Sequence, residues 1–179
     1  MIKQAIIPLA GLGTRMLPLT SVIPKELLPI NGKPNVEYIL DECIQAGIKQ
    51  FIFIISKKKL SIKKYFFNDS FYKKIIKKNK SKHIIAEYKK IKKYQKMIKF
   101  VFQDKPKGTG DAVLKCQKFI KSKYFLMLLP DDLIIKKNCT KEMIRLHKIK
   151  KSSVIATKTV NKKNISRWGI LSVKNKNKN

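Results

Sequence analysis

The chain has 179 residues, an ordinary hydrophobic fraction of 44% and a net charge of +31, from 42 basic and 11 acidic residues. This length suits one α/β domain with a substantial core. No apolar stretch approaches membrane-spanning length, and the N-terminal apolar run is too short for a secretory signal. Cys43, Cys116 and Cys139 form no CxxC pair, so they are interpreted as buried free thiols of a cytoplasmic protein rather than as ligands of a zinc knuckle.

The excess of positive charge has two interpretations. A strong positive field attracts polyanions, both nucleic acids and nucleotide triphosphates. Alternatively, the lysines reflect A/T-rich codon composition, because the chain is also rich in Ile and Asn. All but three basic residues are lysine, whereas RNA-binding surfaces favour arginine and place aromatic rings for base stacking. We therefore favour compositional drift over a nucleic-acid partner. A nucleic-acid partner would predict RNA binding that survives Arg15→Ala and Asp131→Ala.

The first third of the chain predicts a strand, a loop, a helix and a second strand. Residues 3–9 and 50–56 are short apolar runs typical of buried strands. Residues 10–34 hold three glycines and four prolines, which excludes a regular helix, and long irregular segments of this kind are usually functional. Residues 35–46 have the apolar spacing of an amphipathic helix that ends at Gly47. This order predicts a βαβ unit and a parallel sheet.

The remainder alternates in the same way. The Lys-rich segment predicts helices at 60–67, 70–78 and 84–94, and further helices are predicted at 111–120 and 141–148. Strands are predicted at 98–103, 124–129, 153–160 and 169–173, with a turn-rich loop at 104–110. Residues 174–179 are low in complexity and predict a disordered tail. The fold class is therefore α/β: one Rossmann-like domain, residues 1–173, with a mixed, mostly parallel sheet flanked by helices.

The segment Ala10-Gly11-Leu12-Gly13-Thr14-Arg15 follows the first strand directly. Glycines allow a phosphate to approach the backbone closely, so that successive N–H groups can point at its oxygens. A dinucleotide fingerprint requires a third glycine where Met16 stands, and a Walker loop requires Gly-Lys-Ser/Thr, which the segment lacks. The pattern indicates a third kind of phosphate loop; a tight turn with an exposed arginine is the alternative.

Two further motifs carry charge. Lys25 lies between Pro24 and Pro29, on a stiff backbone ten residues after Arg15, and can serve as a fixed phosphate-binding charge. Asp131 and Asp132 follow an apolar strand. Since ligands bind at the carboxyl ends of strands in open α/β sheets, this pair is either a ligand site or a simple turn.

Residues 10–34, AGLGTRMLPLTSVIPKELLPINGKP, resemble the signature of the bacterial UTP–glucose-1-phosphate uridylyltransferases, within the sugar nucleotidyltransferase superfamily. Related thymidylyltransferases typically carry Gln after the motif lysine, whereas this chain has Glu26. Similarity continues in Phe102-Gln103, in the segment 107–114 (KGTGDAVL), and in Leu128-Leu129-Pro130-Asp131. Arg167-Trp168-Gly169-Ile170 is similar to the segment that touches the sugar, with Trp168 in place of the usual Tyr.

The resemblance implies transfer of a uridylyl group from UTP to glucose 1-phosphate, with Mg²⁺ as cofactor and a homo-oligomeric state. It implies catalytic roles for Arg15 and Lys25, which would neutralise the phosphates and the departing pyrophosphate. Asp131 would bind Mg²⁺, and Gly169 would touch the sugar. Nucleotide-binding roles fall to Ala10, Gly11, Gly13, Thr14, Glu26, Gln103 and Gly108. Among these, Gln103 would read the uracil edge.

Members of this family are longer, and a Val-Glu-Lys-Pro segment and a second metal-binding Asp do not occur in these residues. The expectation is that the fold and the nucleotide site persist while turnover by this chain alone is impaired. Two other functions stay open at this point: transfer from dTTP or GTP, and nucleotide binding without catalysis.

Overall fold

A computed structural model describes residues 2–79, 81–105, 107–134 and 137–173. Its main sheet has four strands, all parallel: β1 (Gln4–Pro8), β4 (Gln50–Ile55), β5 (Ile98–Phe102) and β6 (Leu126–Met127), in the order β5-β4-β1-β6. Ile6 pairs with Ile52 on one side and with Met127 on the other. Two very short strands, β2 (Pro29–Ile30) and β3 (Lys33–Pro34), form a separate antiparallel hairpin.

Helices and short 3-10 turns connect these strands. The α-helices are α1 (Asn35–Gln45), α2 (Leu60–Phe67), α3 (Asp69–Lys78), α4 (Lys82–Met97), α5 (Gly108–Lys115) and α6 (Cys139–Lys150). Short 3-10 turns lie at Thr14–Met16, Leu19–Ser21, Lys25–Leu27, Lys57–Lys59, Gln117–Phe119 and Lys162–Arg167. Gly47 has φ +90° after α1, as expected for a helix C-terminus.

The sheet is buried on both faces, which explains why β1 and β4 are continuous apolar runs. One face carries Ala5, Ile7 and Phe53 against α1, α2 and α4; the other carries Ile6 and Ile52 against α5. Successive side chains of a strand point to opposite faces, so each run supplies both cores. The α/β fold class is thereby confirmed, with helices on both faces of a parallel sheet.

The long segment between β1 and α1 is irregular, as its glycines and prolines predict. It contains three 3-10 turns and then the β2–β3 hairpin. The hairpin turn is Asn31-Gly32, whose φ angles of 48° and 74° are both left-handed, as the two-residue turn of a tight hairpin requires. The Asn-Gly pair is a sequence signal for this hairpin, which the predicted elements did not include.

Two predicted strands are wrong. Residues 153–160 and 169–173 contain no strand, and Ile155 and Val173 are 69% and 61% exposed. An apolar, β-branched stretch becomes a strand only where a neighbouring strand accepts its backbone hydrogen bonds, and the described sheet ends at β6. Both segments are therefore extended chain without a ladder.

Other boundaries differ less. Helix α5 begins at Gly108 rather than at residue 111 and gives way to a 3-10 turn after Lys115, and the strand predicted at 124–129 is reduced to Leu126–Met127. The predicted tail, 174–179, lies outside the described residues. Within the described ranges, no helix combines the length and the apolar character that crossing a bilayer requires.

Candidate active site

The strand order reverses between β1 and β6, the place where open α/β sheets form a ligand-binding crevice. From β1 the chain adds β4 and β5 on one side of the sheet and then places β6 on the other side. In open α/β sheets, ligands bind outside the carboxyl ends of the strands at such a reversal of strand order. The glycine-rich segment follows β1, and Asp131 follows β6, so both border this crevice.

The glycine-rich loop is held in one conformation by a later residue. Gly13 has φ +71°, and its carbonyl oxygen accepts hydrogen bonds from the Thr20 hydroxyl (2.8 Å) and the Met16 N–H (2.9 Å). A Cβ at this position would lie 3.2 Å from Thr20 Cγ2. A Cβ on Gly11 would meet no atom within 4 Å. The backbone conformation of the loop thus depends on Gly13, whereas the space beside Gly11 is open.

Lys25 and Arg15 converge on the carboxylate of Asp131. Lys25 Nζ lies 3.0 Å from Asp131 Oδ2, and Arg15 Nη2 lies 3.7 Å from the same oxygen. The Lys25 side chain is 18% exposed and that of Arg15 is 83% exposed, so Lys25 is the enclosed partner and Arg15 the solvent-exposed one. Burial by itself raises the pKa of Asp131, but Lys25, the residue's own backbone N–H and Arg15 outweigh it and lower that pKa.

Asp131 is placed by the strand before it and by the start of α1. The N–H of Leu128 donates to the Ile6 carbonyl (3.1 Å), which continues the β1–β6 pairing. Asn35 Nδ2 donates to the Pro130 carbonyl (2.9 Å), directly before Asp131. Asp132 stands in the turn that follows, with its N–H donating to Leu129. The geometry therefore favours Asp131 over Asp132 as the acidic group of the crevice.

Glu26 does not face the crevice. Its side chain is fully buried, and both carboxylate oxygens accept hydrogen bonds from Lys59 Nζ at 2.8 Å. Lys59 lies just after β4 and is itself 7% exposed. The nucleotide-binding role predicted for Glu26 has no direct contact to support it in this arrangement.

Gln103 lies at the far end of the same edge of the sheet, after β5. Its N–H continues the ladder by donating to the Ile55 carbonyl (2.9 Å). Its side-chain Nε2 donates to Asp111 Oδ2 (2.7 Å) and to the Gly108 carbonyl (3.2 Å), both in the first turn of α5. Three inter-strand spacings separate β5 from β6, or about 14 Å. The predicted base-reading and phosphate-binding residues are thus spread along one edge, at a separation suited to an extended nucleotide.

A cavity of about 260 Å³ adjoins the glycine-rich loop. Thr14, Thr20 and Pro24 line it from the loop, and Ser56 and Lys59 line it from the connection between β4 and α2. No acidic side chain is among its lining residues. A second cavity, of about 340 Å³ between Tyr124 and α6, is lined by none of the predicted site residues.

The predicted sugar-contacting segment stands apart from these groups. Gly169 follows the last 3-10 turn, and Trp168 beside it is 54% exposed. Among the described residues, no hydrogen bond or ion pair joins 153–173 to the glycine-rich loop, to Lys25 or to Asp131. The side chain of Arg167 lies outside the described residues. The structure therefore brings together the predicted phosphate and metal residues, and the role of Gly169 stays a prediction.

Four residues that contact the predicted site were assigned no role from the sequence: Thr20, Asn35, Lys59 and Asp111. Thr20 and Asp111 lie within segments 10–34 and 107–114, which resemble the family's motifs, but the sequence alone indicates no contact for either residue. Lys59 is the third of three consecutive lysines and carries no local signal. Lys59 differs from the neighbouring lysines only in its packing beside Glu26, which the structure shows and the sequence does not.

Similarity to known proteins identifies the family of this chain. The sequence profile described as nucleotidyl transferase matches residues 4–178. The chain belongs to the nucleotidyl transferase family. It is 37% identical to UTP–glucose-1-phosphate uridylyltransferase 2 of Staphylococcus saprophyticus over 95% of its length, and 35% identical to the UTP–glucose-1-phosphate uridylyltransferase of Mycoplasma genitalium over 99%. It spans about three fifths of these curated relatives, 59% and 61%.

Among solved structures, the fold is similar to that of a UTP-bound UGPase from Acinetobacter baumannii. The two superpose with a TM-score of 0.77 at 34% identity, over 85% of this chain and 54% of the other. The fold is therefore similar to that of this enzyme over most of the chain.

Proposed function

We propose that this chain binds UTP at the β1–β6 crevice and takes part in uridylyl transfer to glucose 1-phosphate, with UDP-glucose and pyrophosphate as products. The observation that carries the proposal is the convergence of Lys25 and Arg15 on Asp131 beside the glycine-rich loop. Two cations, a carboxylate and a loop with exposed backbone form the set that a triphosphate and its metal require. The names of the relatives supply the nucleotide and the sugar phosphate.

The proposed reaction needs no protein nucleophile. A phosphate oxygen of glucose 1-phosphate attacks the α-phosphorus of UTP in line, forming a new P–O bond. The bond from the α-phosphorus to the bridging oxygen of the β-phosphate breaks, and pyrophosphate leaves with that electron pair. The protein's contribution is to position the two substrates and to stabilise charge. Lys25 and Arg15 hold the leaving pyrophosphate, and the backbone of Ala10, Gly11, Gly13 and Thr14 holds the triphosphate.

The described residues fit Mg²⁺ that arrives with the nucleotide. They include no group of three or more His, Cys, Asp or Glu side chains able to hold a metal ion on their own. Mg²⁺ usually keeps several waters and is held by one or two carboxylates together with substrate phosphates. Asp131 would supply the carboxylate, and the bound ion would neutralise charge on the phosphate oxygens.

Other parts of the proposal rest on the sequence. Gln103 and Gly108 are proposed to contact the base, and Gly169 the sugar. The free thiols of Cys43, Cys116 and Cys139 support a cytoplasmic location. The homo-oligomeric state stays a prediction.

A donor panel tests the proposal. Calorimetric titration of the chain with UTP, dTTP and GTP in Mg²⁺ buffer should show binding of UTP in preference to the other two. Asp131→Ala should abolish most of the Mg²⁺-dependent affinity, and Asp132→Ala, at the neighbouring exposed acid, should leave it intact. Equal affinity for all three donors, or equal effects of the two substitutions, would contradict the proposal.

A second assay separates catalysis from binding. Release of pyrophosphate from UTP and glucose 1-phosphate would show that the chain catalyses the transfer. Binding of UTP without pyrophosphate release would favour the alternative of a non-catalytic nucleotide-binding protein.

A further inference from the structure

Glu26 and Lys59 form an ion pair in the interior beneath the crevice. The Glu26 side chain has no exposed surface, the Lys59 side chain is 9% exposed, and both carboxylate oxygens are bonded to Nζ. Glu26 comes from the loop before the hairpin, and Lys59 from the turn after β4. The pair therefore ties two chain segments that are 33 residues apart.

Stability alone does not explain this pair. Taking two charges out of water is costly, and well-packed apolar side chains in the same place are often as stable or more stable. Burial lowers the pKa of Lys59, and the Glu26 carboxylate only partly offsets this effect.

Glu26 is joined to Lys25 through a short, rigid turn. Lys25, Glu26 and Leu27 form one 3-10 turn. The Leu27 N–H donates to the carbonyl oxygen of the buried Pro24 (2.9 Å) and closes this turn. Adjacent residues of this turn point in different directions: Lys25 reaches Asp131 and Glu26 reaches Lys59. Fixing the Glu26 side chain therefore fixes the position of the Lys25 Cα atom and the direction in which the Lys25 side chain leaves the backbone.

We propose that the buried Glu26–Lys59 pair is a positioning device that holds Lys25 at the phosphate-binding point of the crevice. The consequence for nucleotide affinity rests on the proposed function, but the consequence for the placement of Lys25 does not.

Chemical labelling tests the placement without any nucleotide. Limiting acetic anhydride, followed by peptide mass spectrometry, gives the acetylation rate of Lys25 relative to the exposed Lys64. In the wild-type chain Lys25 should react more slowly than Lys64, because it is 18% exposed and paired with Asp131. Glu26→Gln and Lys59→Met should each raise the relative rate of Lys25 about threefold or more. Lys59→Arg, which keeps the charge and can bond both oxygens, should preserve the wild-type rate.

A matched control separates positioning from general loss of stability. Glu37 is also a buried carboxylate, 1% exposed, and accepts hydrogen bonds from Lys90 and Tyr65 on α4 and α2. Glu37→Gln should lower the unfolding temperature to a similar extent and leave the acetylation of Lys25 unchanged. Equal acetylation of Lys25 in wild type, Glu26→Gln and Lys59→Met would overturn the proposal, as would an equal rise in Glu37→Gln.

A double-mutant cycle tests the consequence for UTP. Glu26→Gln should weaken UTP binding about tenfold in the wild-type background and less than about twofold in a Lys25→Ala background, because its effect passes through Lys25. The same fold loss in both backgrounds would overturn the proposal. If the wild-type chain binds no UTP, the proposed function fails, and the labelling rates alone decide whether the pair positions Lys25.

Discussion

Lys25 Nζ lies 3.0 Å from Asp131 Oδ2, so the cation proposed to bind phosphate and the carboxylate proposed to bind Mg²⁺ neutralise each other before a ligand enters. A bound triphosphate would draw Lys25 away from Asp131, and the Asp131 carboxylate would then be free to hold the metal. The two ligands should therefore bind together rather than one after the other.

The first prediction concerns this exchange. Asp131→Asn should tighten UTP binding about tenfold in Mg²⁺-free buffer, because it removes a negative charge near the phosphates and releases Lys25. In Mg²⁺ buffer the same substitution should weaken binding, because the carboxylate that holds the metal is gone. Calorimetry in the two buffers measures both effects. Asp132→Asn is the control, and a loss of affinity in both buffers would contradict the exchange.

A second prediction separates the two glycines of the phosphate loop. Gly13→Ala should lower the free energy of unfolding by about 1–2 kcal/mol, because φ is +71° and the new Cβ would lie 3.2 Å from Thr20. Gly11→Ala should change it by less than about 0.5 kcal/mol, since the space beside Gly11 is open. Gly11→Ala should nevertheless weaken UTP binding, because its methyl group occupies the space proposed for the nucleotide. Denaturant unfolding and calorimetry check the pair, and equal stability losses would argue against it.

The third prediction concerns base selection by Gln103. Nε2 of Gln103 is fixed by Asp111, and Oε1 accepts no hydrogen bond from the described residues. The free acceptor suits uracil, whose ring N3–H is a donor, and not cytosine, whose N3 is an acceptor. The chain should bind UTP about tenfold more tightly than CTP, and Asp111→Asn should narrow that ratio by allowing the amide to turn. Gln117→Ala, at an exposed glutamine after α5, should leave the ratio unchanged; an unaltered ratio in Asp111→Asn would refute this role.

Alkaline stability provides a fourth prediction. Burial raises the pKa of the Cys43 thiol from 9.0 to about 12. The folded chain keeps this proton at a pH where the unfolded chain has lost it, so the contribution of Cys43 is fully present below pH 9 and is lost as the pH rises toward 12. Cys43→Ala should make the decline of the unfolding free energy between pH 9 and pH 11 shallower by about 1.4 kcal/mol per pH unit. Urea titrations at several pH values measure this slope, and an identical slope in both proteins would contradict the assignment.

The sequence by itself determined the elements that depend on local pattern. The apolar runs of β1 and β4, the helical spacing of α1 and the glycines and prolines between them fix the start of the fold, because burial on both faces and backbone freedom are readable from residue type. The same reasoning failed for 153–160 and 169–173. Those stretches have strand-like composition, and whether they form a ladder depends on a partner strand that composition does not report.

Tertiary structure alone decided how the charges of the candidate site are shared. In a chain with 42 basic residues, no local feature separates Lys59 from its neighbours or tells that Glu26 turns inward while Lys25 turns to Asp131. The strand order brings the ends of β1 and β6 together, and with them residues that are more than 100 positions apart. Ion pairs depend on distances of a few ångströms between distant segments, and only the packed sheet and helices set those distances.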